Sequence, residues 1–106
     1  MNEERAIEMF HIMWDHFPAR ARLIRKDRTV LAVNKFAANE GFVPGERCCD
    51  RPPLEGHKHC LANQALADRE GKIRLGAGGK MIYWAPLDGF DDLYVHGNLE
   101  PKNIVE

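Results

Sequence analysis

A chain of 106 residues is long enough for one domain with its own core, and 15 Lys and Arg against 16 Asp and Glu leave it without the basic footprint that generic nucleic-acid binding needs. The first twenty residues carry Glu3, Glu4, Glu8 and Asp15, so they are no secretory signal, and no apolar run approaches the roughly 20 residues that cross a bilayer. The expectation is a cytoplasmic protein with neither nucleic acid nor membrane as partner, its three cysteines held as thiols or ligands rather than as a disulfide scaffold.

Asn2 is placed to cap a helix whose first turn carries Glu3 and Glu4, where carboxylates suit the positive end of the helix dipole. The helix is expected to run to Pro18. Ile7, Phe10, Met13, Trp14 and Phe17 recur every three or four residues as one apolar stripe, and Met9 and Ile12 widen it onto a second face. That surplus fits either a helix buried on most sides or a self-association surface formed by Met9, Ile12 and Met13. Residues 19–24 alternate small or apolar residues with Arg20 and Arg22, the pattern of a strand with one wet face. A polar turn over residues 26–29 leads to Val30-Leu31-Ala32-Val33, the second strand of a hairpin. Asn34 ends that strand and caps a short helix over residues 35–40, which Gly41 stops.

Residues 42–45 turn into a stretch ending at Cys60 that holds every cysteine of the chain, two of its five histidines and Pro52-Pro53, a pair that favours extended backbone. A helix is expected from Cys60 to Glu70, with Leu61, Ala62, Ala65 and Leu66 on one side and Gly71 as its stop. Strands over 73–77 and 80–86 flank the hairpin signal Gly78-Gly79, and a last strand over 93–99 follows a polar loop at 88–92. Within the strand at 80–86, Met81, Tyr83 and Ala85 face one way and Ile82 and Trp84 the other. This order makes an α+β domain with an antiparallel sheet. It divides into an N-terminal helix over 1–18, a folded unit over 19–100 and a tail over 101–106.

The order and spacing, together with the hairpin from Leu23-Ile24 to Val33, the Asn34 after it, Ala37 in the short helix and the turn glycine Gly45, resemble the PAS domain. That family is a sensory module with a five-stranded antiparallel sheet and helices packed on one face, and the resemblance covers almost the whole chain. It is similar in particular to a bacterial subset with a cysteine after the turn glycine and a Cys-x-x-Cys opening the long helix. Gly45-Glu46-Arg47-Cys48 fits the first element; His57-Lys58-His59-Cys60 fits the second with histidine in place of its first cysteine. The family often leaves its last strand through Asp-Ile-Thr into a signalling helix, where this chain has Asn98-Leu99-Glu100-Pro101. Pro101 would break such a helix, so if the chain is complete its signal is expected to pass by association. Haem-binding relatives use a histidine on the long helix, and residues 60–70 hold none. Flavin-adduct relatives need an Asn-Cys-Arg setting that Cys48-Cys49-Asp50-Arg51 does not reproduce, so haem and flavin are both disfavoured.

Cys48, Cys49, His57, His59 and Cys60 are competent ligands for zinc or an iron centre, although adjacent cysteines seldom converge on one ion. The other reading makes the thiols small hydrophobes, or makes Cys60 a redox thiol at a helix N-terminus. A second candidate is an apolar ligand pocket between the longer helix and the sheet, lined by Val33, Leu66, Ile82 and Trp84; the same residues also read as plain core. His11, His16 and His96 read as solvated or hydrogen-bonded. With no Ser-His-Asp order, phosphate-cradling glycine loop or paired carboxylates, no enzyme is expected. The sequence therefore points to a sensory or protein-interaction module, homodimeric through its first helix and signalling to a protein partner. The alternative is a small metal- or redox-responsive binding protein built on the Cys48 to Cys60 stretch.

Overall fold

The computed structural model describes residues 2–50 and 59–105. Its elements in chain order are α1 (Glu3–Trp14), β1 (Arg20–Arg25), β2 (Val30–Val33), α2 (Lys35–Asn39), α3 (Ala62–Asp68), β3 (Lys72–Leu75), β4 (Met81–Leu87) and β5 (Phe90–Leu99). Short 3₁₀ turns lie at Cys48–Asp50, Ala77–Gly79 and Pro101–Asn103. The strands form one antiparallel sheet, as the hairpin-length connections predict, and their order in it is β2-β1-β5-β4-β3.

Asn2 caps α1 by accepting the Arg5 N–H at 2.8 Å. The helix stops at Trp14 rather than reaching Pro18: the Phe17 N–H turns back to the Trp14 carbonyl at 3.0 Å, and Pro18 has no N–H with which to continue the run. Asn34 adds a second donor to that carbonyl. Its Nδ2 donates to the carbonyls of Trp14 at 3.1 Å, Phe17 at 3.5 Å and Ala19 at 2.9 Å, while its Oδ1 accepts from Ala21 N at 3.1 Å and Ala37 N at 2.9 Å. One buried amide thus ties the exit of α1, the start of β1 and the N-terminus of α2.

Both faces of the sheet are covered at its centre. On the outer face, Ala6 and Phe10 of α1 pack with Ala21, Leu23, Leu93 and Val95. On the inner face, Ala37 of α2 and Ala62, Ala65 and Leu66 of α3 pack with Ile24, Val30, Val33, Trp84 and Tyr94. The wet face expected for β1 does not exist: Arg22 points into the inner layer with 5% of its surface exposed. Period two located the side chains of β1 correctly; what it could not show is that a second layer closes over the arginine side.

The remaining differences are local. α3 begins at Ala62 instead of Cys60 and ends at Arg69, whose φ of 53° makes the left-handed stop expected of Gly71. A non-glycine residue bears that conformation at a cost of roughly 1 kcal/mol. The loop expected over 88–92 is a two-residue turn, Asp88-Gly89, with Gly89 at φ 84° and Leu87 paired to Phe90. Asp-Gly favours the tight turns that match strand twist, so β5 starts three residues early.

Candidate functional site

The inner face is built rung by rung from strand register. Arg22 on β1 pairs with His96 on β5, and His96 pairs with Trp84 on β4. Two residues along, Ile24 pairs with Tyr94 and Tyr94 with Pro86. Side chains two apart share a face and neighbouring strands lie about 4.8 Å apart, so Arg22, Trp84, Tyr94 and His96 form one patch. The Trp84 and His96 rings stack at 5.1 Å, and Tyr94 meets His96 edge-on at 6.4 Å. His96 Nδ1 lies 2.9 Å from the Tyr83 carbonyl oxygen; since a carbonyl only accepts, the proton of that bond sits on Nδ1.

This patch carries hydrogen-bond donors that the fold leaves without acceptors. Arg22 Nε and Nη1, Trp84 Nε1, Tyr94 Oη and, on β3, Arg74 Nε are buried and unpaired. The Arg22 guanidinium stacks over the Phe42 ring at 4.7 Å, which stabilises its charge without satisfying its N–H groups. Burial holds the Arg22 pKa below its ordinary value, and Arg20 lowers it further while Cys48 and Tyr94 work the other way. The guanidinium stays protonated nonetheless. Glu40, just past α2, is engaged by Arg20 at 2.9 Å and Lys102 at 3.7 Å.

Val33, Leu66 and Trp84 belong to the same inner cluster, and Ile82 packs against it, so the four expected pocket residues come together. Among the described residues, the soft ligands do not assemble in that way. Cys48 and Cys60 join the inner cluster, Cys49 Sγ turns to Asp50 Oδ1 at 3.8 Å, His59 is exposed, and His57 lies outside the described residues. Among the described residues, no three His, Cys, Asp or Glu side chains gather closely enough to hold a metal ion. Burial pushes the Cys48 thiol up, and the adjacent Arg22 charge pulls it back only in part, so Cys48 stays a neutral thiol near pH 7. Cys60 lies two residues before Ala62, the first residue of the seven-residue α3. Of the remaining histidines, His11 bonds Asp15 at 2.8 Å and His16 is exposed.

Arg22, Tyr94 and His96 are the inner-face residues that sequence reasoning missed. One signal was available: Arg22 sits between Ala21 and Leu23-Ile24, and a charged residue so flanked by apolar ones belongs to a strand covered on both sides.

No family model and no curated protein matches the sequence. Among solved structures, the chain is similar to a domain of an HTR-like protein from Haloarcula marismortui, with a TM-score of 0.63 and 19% identity over 79% of this chain and 98% of that one. It is likewise similar to a sensory box sensor histidine kinase from Vibrio cholerae, with a TM-score of 0.65 and 12% identity over 92% of this chain and 88% of that one. The fold is PAS-like. At these identities the likeness carries the architecture, and in that PAS-like frame the orphan donors lie on the sheet face that α2 and α3 cover.

Proposed function

We propose that the chain is a PAS-like sensory and protein-interaction module that works as a homodimer and hands its signal to a protein partner. The sensory part is supported by the fold it shares with a sensory box histidine kinase domain. The dimer part rests on one observation, an apolar surface left open on the outer face. Ile12 and Met13 of α1 are 74% and 73% exposed, and Ile73 and Leu75 of β3, on the outer face of the sheet, are 62% and 71% exposed. Beside them lies an apolar groove of about 180 Å³ between Met9, Met13 and Trp14 of α1 and Ala85, Pro86 and Leu87 of β4.

Open apolar surface of this kind is rare on monomers. A projecting apolar ridge next to a groove of side-chain size, both on one surface, is what a twofold interface between identical chains requires. The occupant is therefore a second copy, with Ile12 or Met13 of each chain seated against the outer face of the other. Analytical ultracentrifugation tests this directly. The parent chain is expected to sediment as a dimer, and Ile12→Glu and Leu75→Glu are each expected to weaken the dimer at least tenfold, about 1.4 kcal/mol, with unchanged circular dichroism. A monomeric parent chain, or dimers indifferent to both substitutions, would refute the interface.

A further inference from the structure

We propose that the inner face of the sheet binds a small organic monocarboxylate with an apolar body, its carboxylate held by Arg22, the Tyr94 hydroxyl and the Trp84 indole N–H. This deepens the sensory reading and rests on it.

The chemistry follows from what the patch lacks. Arg22 Nε and Nη1, Trp84 Nε1 and Tyr94 Oη are all buried, none has a hydrogen-bond partner, and every one of them donates. Arg22 is 5% exposed, Trp84 2% and Tyr94 fully buried, so bulk water does not serve them. A buried guanidinium without a counter-charge is one of the costliest arrangements a core holds. Among the described residues, the groups acting most strongly on Arg22 are Cys48, Arg20 and Tyr94: a neutral thiol, a second cation and a phenol. Glu40, just past α2, is already bonded to Arg20. An acceptor carrying one negative charge is the partner that donors of this kind lack.

Charge and shape then narrow the class. One buried cation balances a monoanion; a phosphate dianion would bring a second charge that nothing in the patch offsets. The surroundings are apolar and small, with Ala37, Ala62 and Ala65 of the helices packed with Val33, Ile24 and Ile82 of the sheet. They suit a hydrocarbon chain or a single ring rather than a polyhydroxylated body. The stacked Trp84 and His96 rings add a flat wall beside the donors.

The test titrates benzoate and hexanoate, with benzamide and inorganic phosphate as controls, into protein dialysed free of carboxylate buffers. Binding is followed by calorimetry and by Tm. At tenfold saturation, benzoate or hexanoate is expected to raise Tm by about 5 °C, and neither control to raise it. Arg22→Met removes the charge and keeps an apolar stem, so it is expected to abolish binding and to melt higher than the parent chain without ligand. Should Arg22→Met fail to fold, Tyr94→Phe, which removes only a hydroxyl, is expected to weaken benzoate about tenfold. The proposal is overturned if neither carboxylate binds, if phosphate or benzamide binds as well as benzoate, or if Tyr94→Phe titrates like the parent chain. A ligand-free Arg22→Met protein that folds but melts well below the parent chain also overturns it, since Arg22 would then already have its counter-charge. Sedimentation of the same samples separates the two readings: binding by a chain that never self-associates refutes the dimeric module alone, and an intact dimer that binds no carboxylate refutes this site alone.

Discussion

Asn34 is the side chain on which most backbone depends, because its amide satisfies two N–H groups and three carbonyls from four separate segments. Asn34→Ala strands the buried ones among them, the N–H groups of Ala21 and Ala37 and the Ala19 carbonyl. Each buried group left unpaired costs about 1–3 kcal/mol, and relaxation recovers part of the sum, so a loss of about 3 kcal/mol or more is expected from urea unfolding. A loss below 1 kcal/mol would mean that water reaches these groups. The Arg20–Glu40 pair makes a smaller and pH-dependent contribution. Burial pushes the Glu40 carboxyl up, but the bond and charge of Arg20, aided by Lys102, outweigh it and set the net direction downward from 4.5. A carboxyl depressed in the folded state binds fewer protons folded than unfolded, so its stabilisation is complete well above 4.5 and is lost as pH falls through the folded value. Glu40→Gln is therefore expected to cost about 0.5–1 kcal/mol at pH 7 and progressively less below about pH 4. Parallel unfolding curves of parent and variant across that range check both sign and window.

Strand pairing at the sheet centre depends on a missing side chain. Gly97 on β5 lies between Ala21 of β1 and Tyr83 of β4, and the Tyr83 hydroxyl reaches across it to donate to the Arg20 carbonyl at 2.8 Å. A Cβ at position 97 would sit 1.9 Å from that carbonyl oxygen and 2.6 Å from the tyrosine oxygen. Gly97→Ala must therefore spread β1 from β5 or expel the tyrosine, and is expected to cost about 4 kcal/mol or to prevent folding. Tyr83→Phe, which removes one hydrogen bond and little volume, is expected to cost about 1 kcal/mol, and thermal melts of the two variants give the comparison. Elements of this kind mark the limit of what the chain discloses as text. The strands and the two faces of β4 follow from period two and turn residues, because Val30–Val33 and Met81–Leu87 carry strong local signals. Asn34 as a helix cap was equally legible, since capping is settled within four residues. Its other bonds were not, nor was the place of Gly97, because both depend on segments brought together only by the closed sheet. The candidate site divides in the same way. Val33, Leu66, Ile82 and Trp84 follow from apolar patterning, whereas Arg22 reads as a solvent-facing arginine until α2 and α3 cover it.

At the scale of the molecule, one sheet separates the proposed carboxylate site from the proposed association surface, and β4 and β5 belong to both. His96 stacks on Trp84 within the inner patch and donates through Nδ1 to the Tyr83 carbonyl, while the Tyr83 ring stacks on Trp14 of α1 at 6.4 Å. A carboxylate that draws Trp84 Nε1 and Arg22 toward itself acts on the Trp84–His96 stack, and so on the strand that carries Tyr83 under α1. Such coupling has a thermodynamic signature that needs no motion to be seen. If the ligand changes the dimer dissociation constant by some factor, dimerisation must change the ligand dissociation constant by the same factor. We expect that factor to reach about five, a coupling of about 1 kcal/mol. Benzoate titrated into the Ile12→Glu monomer and into the parent dimer should then give dissociation constants about fivefold apart. Ile12 is exposed and lies across the sheet from the donors, so its substitution reaches the carboxylate only through association. Identical titrations would leave two sites that share a sheet and exchange no free energy, and the receiving partner would then have to read the ligand at the inner face itself.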